Sequence, residues 1–125
     1  VEVEAAGLAA LRRSPAQEEA IVAAHKALVQ QIAAGGSSTR ADFEFHRAIA
    51  AATNNRRFVD LLDLLGASAI PEMMRQGYLD MILEEHRAIA YAISAGDAAA
   101  ARDAMRIHVH GSQQRYRQLL HGELG

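Results

Sequence analysis

Apolar residues recur along this chain at steps of three and four, and no sustained β-branched run alternates with polar residues, so the pattern predicts helices from end to end. The opening stretch "VEVEAAGLAALRR" is helical in composition but carries no cap or turn signal before it, as though a longer protein continued upstream. "SPAQ" at 14–17 is a capping box. Ser14 can accept from the Gln17 amide while Pro15 takes the first helical position. The helix that follows sets Ile21, Leu28 and Ile32 on one face and stops at Gly35-Gly36, with Ser38 or Thr39 as the next cap.

"DFEFHRAIAAATNN" is the third helix, closing near Asn54, a residue that tolerates the left-handed turn. A fourth carries Phe58, Leu61, Leu62 and Leu65 on one side until Pro71, which should interrupt it. After Gly77 a fifth helix runs to "SAGD". Gly96 ends it, and Asp97 caps a sixth that would be about 35 Å long if unbroken. The expectation is an all-α, antiparallel bundle of about six helices forming one domain over 1–125.

Three of these apolar faces contain a residue that a core does not ask for. In the third helix Asp42 and His46 lie four apart on the face of Phe45 and Ile49. In the fifth, the row Leu79, Ile82, His86, Ile89, Ile93 points His86 inward, and in the sixth the row Ala101, Met105, His108, Ser112 does the same for His108. His110 shares its row with Asp103 and Gln114 and should face water. A buried carboxylate costs several kcal/mol unless paired, hydrogen-bonded or bound to a metal, so an inward Asp42 needs partners. Three imidazoles and a carboxylate on facing helices are a set that holds a divalent cation. His25, in line with Ile21, Leu28 and Ile32, is read as a helix-edge histidine and kept as a rival ligand.

Composition removes several alternatives. The 125 residues are 50% hydrophobic, enough for a core without staples. The absence of cysteine excludes disulfides and thiolate metal sites and is compatible with a cytoplasmic location. No apolar run is long enough for a membrane span. With net charge -2 and arginines scattered, the pairs Arg12-Arg13 and Arg56-Arg57 read as helix-end cations, and no basic stripe offers itself to nucleic acid.

Asp42-x3-His46, Asn54 closing the same helix, and "EEHRAIAYAISAGDAAAARDAMRIH" from Glu84 to His108 resemble the FCD domain of FadR-type GntR transcription regulators. This is the C-terminal effector-binding domain of those proteins. "VEVEAAGLAA" resembles that domain's first helix, so the likeness covers nearly the whole chain and is weakest over 66–83.

The resemblance implies that Asp42, His46, His86 and His108 are the ligands used by the family's metal-containing branch; its fatty acyl-CoA-binding branch lacks them. It also implies a homodimer and a winged helix-turn-helix domain upstream, absent from these residues, through which alone operator DNA would be bound. Nitrogen and oxygen ligands suit zinc first, then nickel, iron or manganese. Ionised Asp42 and three neutral imidazoles around a dication leave a net charge of about +1, suited to a small organic acid effector. Arg47, Asn54, Arg75, Tyr78 and Arg87 are candidate contacts for it.

Two other readings remain open on the residues. A metal-dependent hydrolase or non-haem iron enzyme would use the same ligands, with Glu84 or Glu85 beside His86 as a base, although both are expected on the solvent side. A structural ion would need no organic ligand.

Overall fold

The computed structural model describes residues 1–65 and 76–124. Among the described residues six helices follow one another: α1 (Glu2–Arg12), α2 (Pro15–Ala33), α3 (Thr39–Ala52), α4 (Arg56–Leu65), α5 (Gln76–Ser94) and α6 (Ala98–Leu124). No strand occurs among the described residues, so the all-α bundle stands. The expected interruption at Pro71 lies outside the described residues.

Local chemistry sets the helix ends. The Ser14–Gln17 capping box forms both ways: the Gln17 amide donates to Ser14 Oγ (3.1 Å) and the Ser14 amide to Gln17 Oε1 (2.9 Å). Asp97 Oδ1 accepts from the Ala100 amide at 3.0 Å and opens α6. Gly96 ends α5 at φ 69°. Ser38 precedes α3 without a side-chain cap bond. α5 is described from Gln76, so the expected boundary residue Gly77 lies within the helix.

Asn54 takes the left-handed conformation at φ 56° and becomes a latch. Its amide donates to the Arg12 carbonyl (2.7 Å) and its Oδ1 accepts from Gln17 Nε2 (2.8 Å), so the end of α3 is tied to α1 and α2.

α1 packs against α3, α5 and α6, α2 against α3 and α5, and α5 against α6. Close approach by α1 follows from its small face: Ala6, Ala9 and Ala10 are buried beside Ile21, Phe45, Ile49, Ile89, Ile93 and Met105. Burying each of the larger side chains contributes roughly 1.5–3 kcal/mol. Leu28, Ile32 and Ile82 form a second apolar cluster between α2 and α5. Among the described residues no helix is long and apolar enough to cross a membrane.

Candidate metal centre

Asp42, His46, His86 and His108 are all buried, with exposures of 1%, 5%, 0% and 5%. α3 carries the first two one helical turn apart, α5 the third and α6 the fourth, on the rows that periodicity turned inward. Ligand atoms of the three histidines lie within 4.8 Å of one another. Asp42 Oδ1 adjoins two of them, 3.5 Å from His46 Nε2 and 3.3 Å from His86 Nε2. His86 Nε2 and His108 Nε2 are 3.1 Å apart. Each imidazole therefore presents Nε2 to one interior.

Packing holds the rings there. His86 stacks on Phe45 with centroids 4.3 Å apart and planes 11° from parallel, while His46 and His108 stack at 5.3 Å. His86 meets both of the latter edge-on. An apolar residue of α3 thus sets the angle of a ring on α5.

The outward nitrogens reveal residues that sequence reasoning missed. His46 Nδ1 lies 2.8 Å from Glu2 Oε1 of α1, and His108 Nδ1 lies 2.7 Å from Glu85 Oε1 of α5. Arg115, only 3% exposed, clamps Glu85 with two donors at 2.9 and 2.6 Å. Glu84 is exposed as expected, but Glu85 is not on the solvent side. Steps of three and four place it between Ile82 and Ile89, where a carboxylate signals a partner on the facing helix. Glu2 heads the alanine face of α1, and Arg115 falls one heptad after His108; both were readable as charges on buried rows.

Electrostatics follow this layout. Burial by itself would lower the His46 pKa, yet the close approach and negative charge of Asp42 and Glu2 push it up to about 10. Burial, reinforced by positive charge on His108 and His46, holds His86 well below its ordinary value. Burial would raise Glu2 and Glu85, but His46 in one case, and His108 with Arg115 in the other, keep both lowered. With Glu2 counted and Glu85 offset by Arg115, a dication here would sit in a set of net charge about 0, not the +1 expected from Asp42 alone.

Do these residues suit a cation? Both carboxylate oxygens of Asp42 are buried without a hydrogen-bond partner. Leaving such a group unpaired is expensive, and two Nε2 atoms lie beside it, with His108 Nε2 next to one of them, where a proton or a cation can sit favourably. The donor set fits a nitrogen- and oxygen-binding divalent metal.

Other candidates lie elsewhere. His25 is half-buried, its ring centroid 6.4 Å from that of His86, and it is not among the three clustered histidines. Arg47 pairs with Asp63 at 3.1 Å on the surface, Arg87 is exposed beside Glu84 (3.9 Å), and Tyr78 donates to Gln118 Oε1 of α6. Asn54 is engaged in its latch, and Arg75 lies outside the described residues. The polar groups of these four described candidates are thus engaged away from the cage.

The family model described as "FCD domain" matches residues 1–111. The chain belongs to the FCD domain family. It is 32% identical over 131 aligned residues to the "Putative L-lactate dehydrogenase operon regulatory protein" of Escherichia coli K12, covering 93% of this chain and 48% of that protein. Identity to the "HTH-type transcriptional regulator LutR" of Bacillus subtilis 168 is 33%, covering 87% of this chain and 54% of that one. The chain spans about half the length of these curated relatives. Both relatives are named as regulators.

Proposed function

We propose that this FCD domain holds a divalent cation on Asp42, His46, His86 and His108, and senses a small organic acid there. Its state would alter DNA binding by a domain upstream of Val1, in a homodimer matched to a two-fold operator. The observation that carries the reading is Asp42, a buried carboxylate with no hydrogen bond to either oxygen, its Oδ1 3.5 Å from His46 Nε2 and 3.3 Å from His86 Nε2. A cation would supply positive charge and open coordination positions for a carboxylate or hydroxyl group. The name of the Escherichia coli relative makes L-lactate and other 2-hydroxy acids the first effectors to test.

Within the chain, Phe45 fixes the His86 ring, and α1 closes over His46 through Glu2. The cavity beside this contact, bordered by Glu2, His46, Phe58, Leu62 and Met105, measures about 10 Å³, room for roughly one water molecule. A ligand acts only by favouring one arrangement over another, so an organic acid would have to shift the packing around the four side chains. α4 packs on α3 and supplies Phe58 and Leu62 to the wall of that cavity.

The near-complete burial of all four side chains favours a second reading, a structural ion with no organic ligand. Elemental analysis of protein purified without chelator, followed by thermal melts with metal and acids varied separately, separates the two. Sensing requires bound metal, a further rise in melting temperature with one acid, and changed operator affinity of the full-length regulator. Metal stabilisation that no acid augments leaves the structural ion, and a metal-free protein indifferent to added metal removes both.

A further inference from the structure

Resting on the metal reading above, we infer that Glu85, clamped by Arg115, is a positioning residue that selects the ring nitrogen His108 turns toward the cage. Imidazole has two nitrogens, and in its neutral form only one carries the proton. Glu85 Oε1 lies 2.7 Å from His108 Nδ1, which places the proton on Nδ1 and leaves Nε2 as an acceptor, engaged by His86 in the metal-free protein. That Nε2 is the atom 3.1 Å from His86 Nε2. An acceptor on the outer nitrogen also raises the basicity of the inner one.

Glu85 would be a poor guide if it could swing. Arg115 prevents this by donating to both carboxylate oxygens, at 2.9 and 2.6 Å, and Arg115 Nη2 is itself 3.3 Å from Ser112 Oγ. Gly111 leaves the space for the pair: a Cβ there would stand 2.8 Å from Glu85 Oε2 and 3.0 Å from Arg115 Nη1. His108, Gly111, Ser112 and Arg115 occupy successive turns of one face of α6, so a single helix face carries both the imidazole and the clamp that orients its partner. Arg115 also cancels the Glu85 charge, so the support adds no net charge to the cage.

A tie between α5 and α6 could be structural alone, so the test reads the proton directly. Nitrogen NMR of metal-free protein at pH 8 should show His108 as the Nδ1–H tautomer in the wild type. Glu85→Gln keeps an acceptor and should preserve that tautomer, with metal affinity lowered less than tenfold. Glu85→Leu combined with Arg115→Leu removes the buried pair without stranding either charge. It should remain folded, move His108 toward the Nε2–H form that free histidine prefers, and lower zinc affinity, measured against a chromophoric chelator, by about 10–100-fold. Retention of the Nδ1–H tautomer and of affinity within twofold in the folded double variant overturns the inference. If the double variant does not fold, a mixed tautomer in Glu85→Ala supports it and an unchanged one overturns it. Wild-type protein that binds no zinc, nickel, iron or manganese would refute the metal site, whereas the tautomer measurement decides the role of Glu85 by itself.

Discussion

Glu2 of α1 and His46 of α3 meet at 2.8 Å, so the first helix of the chain touches a residue of the cage. Anything attached ahead of α1 is then two links from the proposed metal. Glu2→Gln should lower zinc affinity about tenfold, the range for outer supports of a ligating histidine, while the helical circular dichroism stays unchanged. Chelator competition is the measurement, and an affinity equal to wild type would show that α1 is not coupled to the site in this way.

Removing the carboxylate at the centre should be more damaging to binding. In wild type, a metal at a hundredfold its dissociation constant stabilises the fold by about 2.7 kcal/mol. In Asp42→Asn, most of that shift should vanish, because the amide offers a weaker, neutral oxygen in place of an anionic one. Paired thermal melts with and without zinc check this, and an undiminished zinc shift would exclude Asp42 as a ligand.

Acidity should act differently on the chelated and loaded forms. His46 in the metal-free protein is pushed from 6.5 to about 10, so its proton contributes stability that is complete below 6.5 and lost as pH rises through about 10. His86 is depressed instead, so its contribution falls as pH drops below 6.5. Melting temperature in chelator should therefore pass through a maximum near neutrality and decline toward alkaline pH. With metal bound, His46 needs no proton to face Asp42, and the alkaline decline should shrink. Parallel declines in both forms would remove His46 from the ligand set.

Asn54 separates latch from effector contact. Asn54→Ala places a non-glycine, non-asparagine residue at φ 56° and deletes two side-chain hydrogen bonds, for an expected loss of roughly 2–3 kcal/mol. Asn54→Gly should recover the backbone part. Denaturant titration gives the stability, and metal and acid affinities should stay at wild-type values in both variants. A selective loss of acid binding would return Asn54 to the effector site.

The sequence by itself determined the six helices, their caps at Ser14 and Asp97, and the left-handed stop at Asn54, because these depend on neighbours along the chain. It also turned Asp42, His46, His86 and His108 inward, since a helix period assigns every side chain to a face. What periodicity cannot state is which faces meet, or at what rotation. Only packing decided that His25 stays outside the cluster and that Phe45 carries the His86 ring. The same packing gives His46 and His108 outer partners in Glu2 and Glu85, and engages the surface candidates Arg47, Asn54, Tyr78 and Arg87 elsewhere. Those outcomes depend on contacts between residues far apart in the chain, and no local pattern encodes the distance between two helices.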